Sequence, residues 1–202
     1  VTSFGPTSIC ISVFGTPNPK GSLLRSGAKV GDGIYVSGTI GDAALGLALR
    51  GNRSLLCSSK ENSYCISRYR IPRPRIDLGL ALGEVASAAM DISDGLFQDL
   101  NHLCGASDVG ASVWANKIPL SKEVNAFVTE HKFSIEQVIT GGDDYELIFT
   151  APVTMENSIF RMARATKTRI TRIGTVQSGR EISVFDKNHD IIPVHKGGYS
   201  HD

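Results

Sequence analysis

Apolar and polar residues alternate at Ile9, Ile11 and Val13 against Ser8, Cys10 and Ser12, a period of two that predicts a strand with one covered face. Gly15-Thr16-Pro17-Asn18-Pro19 breaks that pattern. The turn Gly31-Asp32-Gly33 feeds a strand over residues 34–37, and Gly38-Thr39-Ile40-Gly41-Asp42 opens an alanine- and leucine-rich helix to about Leu49. Residues 54–67 read as a helix ended by Ile71-Pro72-Arg73-Pro74, and Leu78, Leu80, Ala81 and Leu82 mark another. A run of small and apolar residues over 86–90 is predicted as a buried strand, after which Leu96, Leu100, Leu103 and Cys104 recur at helical spacing. Further on, the pattern predicts a short strand at 110–114, a helix entry at 118–121, a helix at 124–131, a strand at 145–151 and a helix at 155–165. Residues 170–176 and 181–185 are expected to form a hairpin around Ser178-Gly179. Strands and helices interleave without a strict βαβ period, so the fold class is α+β, a mixed sheet with helices packed on it.

Composition narrows the functional classes. The 202 residues are 41% hydrophobic and 20% charged, enough for one large domain or a domain plus part of another. Twenty-one basic against 20 acidic residues leave a net charge of +1, which gives no global field for nucleic acid or an anionic membrane. No stretch has the roughly 18 consecutive apolar residues of a membrane span. Cys10, Cys57, Cys65 and Cys104 lack metal-ligand spacing and read as reduced thiols of a cytoplasmic protein. The chain begins at Val1 within a strand approach, so it is expected to be a fragment.

Two acidic stretches carry the candidate chemistry: Met90-Asp91-Ile92-Ser93-Asp94-Gly95-Leu96 and Gly141-Gly142-Asp143-Asp144-Tyr145-Glu146-Leu147. In the first, Asp91 and Asp94 would converge at a strand-to-helix turn, with Ser93 or Asp94 as the helix N-cap. Carboxylates this close repel one another unless solvated, paired with bases or bound to a hard cation such as Mg2+. Two readings stay open on residue chemistry alone. One is a metal-assisted phosphate site. In the other, Asp91 and Asp94 cap a helix while Asp143 and Asp144 fill a polar turn. Arg68, Arg70, Arg73 and Arg75 form the one basic cluster and read as a solvated loop or as partners of nearby carboxylates. His102 reads as structural and Trp114 as core. No GxxxxGK[ST] loop, kinase catalytic loop, HExxH or GxSxG is present, since Lys20-Gly21-Ser22 has the wrong order.

Taken together, Arg25-Ser26-Gly27-Ala28-Lys29 with Gly31-Asp32, Ser37-Gly38-Thr39-Ile40-Gly41-Asp42-Ala43-Ala44 and the two acidic stretches resemble the thiamine-monophosphate kinase family. That family belongs to the superfamily of phosphoribosyl-aminoimidazole synthetase and selenophosphate synthetase. The resemblance implies ATP-dependent phosphorylation of thiamine monophosphate to thiamine diphosphate, with no covalent catalytic residue in the protein. Arg25 and Ser93 would contact ATP, Asp91 and Asp94 would hold Mg2+, and Asp143 or Asp144 would face the substrate. The terminal Gly198-Tyr199-Ser200-His201 matches a family element that makes Tyr199 a substrate contact. A full-length homodimer is implied, with no nucleic-acid or membrane partner. Residues 1–16 would be the last strand and linker of a largely missing N-terminal ATP-binding domain, and 17–202 the C-terminal α+β domain. The chain by itself would then be inactive. Another ATP-dependent synthetase of the superfamily, or a non-catalytic binding domain that kept the fold, are the alternatives. The two acidic stretches are expected at one end of the same sheet, bordering one cleft.

Overall fold

The structure is a computed structural model that describes residue 5 and residues 9–16, 22–51 and 59–195. Its centre is a six-stranded sheet built from β1 (Gly33–Ser37), β2 (Ala88–Asp91), β3 (Gly110–Trp114), β4 (Leu147–Ala151), β5 (Ile170–Gln177) and β6 (Ile182–Phe185). The spatial order is β2-β4-β1-β5-β3-β6, antiparallel throughout except for the parallel pair β3 and β6. Seven α-helices accompany it among the described residues: α1 (Asp42–Gly51), α2 (Ser59–Arg70), α3 (Ile76–Leu82), α4 (Leu96–Ser107), α5 (Lys122–Thr129), α6 (Ile135–Thr140) and α7 (Glu156–Ala165).

Side chains alternate across a strand, and the two faces of this sheet are covered by different helices. Ile34, Val36 and Ile148 join Leu45 and Leu49 of α1, Leu96, Leu100 and Leu103 of α4, Val124 and Phe127 of α5, and Val138 and Ile139 of α6 in the larger core. Tyr35, Phe149 and Ala151 pack with Leu78 and Leu82 of α3 and Ile159 of α7 on the other side. The Tyr35 and Phe149 rings stack there at 5.2 Å between centroids. Every residue of β1 is buried, as expected for a strand covered on both faces.

Three sequence expectations are corrected. Residues 9–16 carry no strand, and Ile9, Ile11 and Val13 are 80%, 82% and 88% exposed. Alternation alone does not make a strand, because its N–H and C=O groups need a neighbouring chain, and none pairs with this segment among the described residues. β5 and β6 do not form a hairpin, since β3 lies between them and pairs with both. The N-cap of α4 is Gly95, with no side-chain cap from Ser93 or Asp94. One helix went unpredicted: α6 begins with a capping box in which Ser134 and Gln137 satisfy each other's backbone N–H groups.

Candidate functional site

The ladder between β2 and β4 does not stop at the strand ends. Asp91 pairs with Leu147 in register, and the Ile92 N–H then donates to the Glu146 carbonyl at 2.8 Å. The Tyr145 N–H donates to the Ile92 carbonyl at 2.8 Å, and the Asp143 N–H to the Ser93 carbonyl at 2.9 Å. The two acidic stretches are thus zipped together at one end of the sheet, as the sequence predicted. Two glycines make the closeness possible. A Cβ on Gly142 would stand 2.3 Å from the Ser93 carbonyl oxygen. One on Gly95, whose φ is +118°, would stand 2.8 Å from that of Thr140.

The turn after β2 is wrapped around Asp99, a residue of α4 that the sequence reading passed over. Its Oδ2 accepts from the backbone N–H groups of Ser93, Asp94 and Gly95 at 2.9, 3.0 and 3.1 Å. Burial pushes the Asp99 carboxyl up to about 6, with those donors and the Asp94 charge as lesser influences. Asp91 ends β2 exposed, while Ser93 and Asp94 are half-buried. Desolvation, followed by the Asp94 charge, raises the Asp143 carboxyl above its ordinary value. The Tyr145 phenol is raised by desolvation and then by the charges of Asp143, Asp91 and Asp94.

The neighbouring aspartates part company. Asp143 is half-buried in the left-handed region at φ 69°, and Tyr145 follows at φ 51°. Asp144 is buried and turned inward: its two oxygens accept from the Gly41 and Ala43 N–H groups at 2.7 and 3.1 Å, capping α1. Burial pushes its carboxyl up to about 7 against those two donors. Glu146 is fully buried and accepts from the Ser37 hydroxyl at 2.6 Å, Arg68 at 2.9 Å and the Arg75 Nε at 2.7 Å. Arg68 also donates to the Asp144 carbonyl at 3.1 Å. Two members of the basic cluster therefore serve carboxylates, as expected, and fasten α2 and α3 to the acidic loop.

Other expected site residues are not drawn into this group. The described contacts of Arg25 are main-chain: its carbonyl accepts from Ser107 at the end of α4, and its side chain is exposed. Tyr199 lies outside the described residues. A cavity found elsewhere among the described residues is lined by no residue of the acidic stretches. That cavity, of about 650 Å3, is lined by Lys117, Pro119, Asn125, Ile135, Arg169 and their neighbours. His102 is exposed on α4 and Trp114 is half-buried, with the Arg172 guanidinium 5.8 Å from its ring centroid. Neither Asp99 nor the Glu146 network could be found from local sequence. Asp99 reads as one polar position on a helix, and the arginines of Glu146 lie 78 and 71 residues away.

The acidic end presents carboxylate oxygens on two loops held by main-chain hydrogen bonds, a donor set that could hold a hard cation. Comparison with known proteins adds to this. The family profile described as AIR synthase related protein, C-terminal domain, matches residues 29–187. Thiamine-monophosphate kinase of Escherichia coli (strain K12) is 36% identical over 200 residues, covering 99% of this chain and 61% of that protein. The crystal structure of thiamine-monophosphate kinase from Stenotrophomonas maltophilia K279a superposes with a TM-score of 0.72 at 37% identity, over 80% of this chain and 52% of that one. A second structure, AaThiL complexed with AMPPCP and TMP, gives 0.74 at 32% identity over 89% and 54%. The chain spans about three fifths of the length of the Escherichia coli relative.

Proposed function

This chain belongs to the AIR synthase related family by its C-terminal domain, and from that premise we propose that it serves the ATP-dependent phosphorylation of thiamine monophosphate to thiamine diphosphate. The observation that carries the reading is the main-chain pairing that brings the stretch of Asp91 and Asp94 against that of Asp143 at one end of the sheet, in a chain whose relatives include thiamine-monophosphate kinases. Support for the substrates comes from AaThiL complexed with AMPPCP and TMP, a structure of the same fold.

Joining a phosphoryl group to an acceptor that is itself a phosphate requires neutralised charge and in-line positioning more than a protein nucleophile. The donor set is all oxygen and suits Mg2+, which favours carboxylates and retains water. Asp91 and Asp94 would hold the ion, and when bound it supplies charge neutralisation to donor and acceptor phosphates. Ser93 and the exposed Arg25 would meet ATP. Of the two aspartates, Asp143 is the one proposed to face thiamine monophosphate, because Asp144 is committed to capping α1. Tyr199 belongs to the same substrate contact in this proposal. A homodimer and a cytoplasmic setting complete it. No helix of the described residues is long and apolar enough to cross a membrane.

The test joins this chain to the part of the Escherichia coli relative that the match leaves uncovered, and follows thiamine diphosphate formation from ATP and thiamine monophosphate. Asp91→Asn and Asp94→Asn should each lower turnover and change its Mg2+ dependence. Asp143→Ala should instead raise the KM for thiamine monophosphate more than that for ATP. Turnover of an aminoimidazole precursor in place of thiamine monophosphate would assign another synthetase of the superfamily. Full activity in all three variants would refute the site.

A further inference from the structure

Beyond the two aspartates, we propose that Asp94, Asp99 and His102 form a divalent-cation site of mixed oxygen and nitrogen ligation, favouring a first-row transition ion such as Mn2+ over Mg2+. It extends the reading of Asp94 as a metal ligand. One ligand atom from each of the three lies within 4.8 Å of the others. Asp99 is 1% exposed, and its two oxygens have different surroundings. Oδ2 is taken by three backbone N–H groups, whereas Oδ1 is buried with no hydrogen-bond partner. A buried carboxylate oxygen without a donor is costly, and a cation would satisfy it.

The other two ligands come from the same helix and from the turn that precedes it, near the Asp99 carboxyl. His102 follows Asp99 by three residues on α4, so both lie on one face of the helix, and the imidazole is exposed to arriving ions. Asp94 is drawn back toward Asp99 because its own N–H is one of the three donors. The start of α4 bears roughly half a positive charge, which opposes a cation, but two full carboxylate charges outweigh it. Magnesium takes oxygen ligands, while an imidazole nitrogen suits transition ions, so His102 sets the preference.

Titration of the 202-residue chain with Mn2+, followed by electron paramagnetic resonance, tests the site. Saturable binding is expected, with nitrogen coupling to the bound ion in pulsed spectra. His102→Ala, a change at an exposed position, should abolish that coupling and weaken Mn2+ about tenfold, about 1.4 kcal/mol, while leaving competition by Mg2+ nearly unchanged. Asp99→Asn should also weaken Mn2+. No saturable binding, or a nitrogen coupling that is missing or survives in His102→Ala, would overturn the proposal. Neither ATP nor thiamine monophosphate enters the measurement, so failure of this site and failure of the kinase reading are seen separately.

Discussion

Adjacent aspartates in one loop have opposite fates here, and the backbone decides which is which. The left-handed turn at Asp143 leaves that residue half-buried, while the next residue sends its carboxylate into the start of α1. That burial has a consequence for pH. An unfolded aspartate titrates near about 3.9, and folded Asp144 is pushed up to about 7. Between those values the folded chain holds a proton that the unfolded chain has released, so protonation favours folding. This contribution is complete below the unfolded value, fades as pH rises, and is gone above the folded one. Asp144→Asn lacks the titrating group. The unfolding free energy of the parent minus that of this variant should therefore fall between about pH 4 and pH 7 and level off above, as read from urea melts at a series of pH values. A flat difference would mean that the two N–H donors keep the carboxylate ionised throughout.

Between elements, the acidic loop is fastened from three sides: to the turn after β2 by main-chain bonds, to α1 by Asp144, and to α2 and α3 by Arg68 and Arg75. Removing one partner of a buried ion pair leaves an uncompensated charge, which costs about 3–5 kcal/mol. Arg68→Met should cost only part of that in chemical denaturation, because Glu146 keeps Arg75 while the buried Asp42 loses its partner at 3.7 Å. Arg75→Met should cost less, because the Arg75 side chain is 25% exposed against 7% for Arg68. Gly142→Ala tests the zip itself. Its added methyl meets the Ser93 carbonyl oxygen, so the two acidic stretches must separate. The expected result is a lower melting temperature together with faster amide exchange at Asp143 and Tyr145, whose N–H groups cross to the other stretch.

At the scale of the whole molecule, protection should follow the sheet. Amides in β1, covered on both faces and paired on both edges, should exchange slowest, and those of residues 9–16 should exchange like unstructured peptide. A protected segment at 9–16 would mean that the chain finds a pairing partner in solution. The limits of sequence reading have the same origin. Periodicity and turn residues located β1 to β6 and most helices, because those signals lie within a few residues of each other. They placed both acidic stretches correctly at strand ends, since the apolar runs at 86–90 and 147–151 fix where the strands stop. Nothing local reveals that β3 enters between β5 and β6, because that order depends on which edges are free once the chain has collapsed. Nor does local sequence distinguish Asp143 from Asp144, or show that Asp99 holds the turn of Asp94. The sequence alone determined most of the elements and the residue types of the site. Tertiary structure decided which carboxylates are consumed in holding the fold and which stay at the surface, because burial and hydrogen-bond donors arrive from residues far away along the chain.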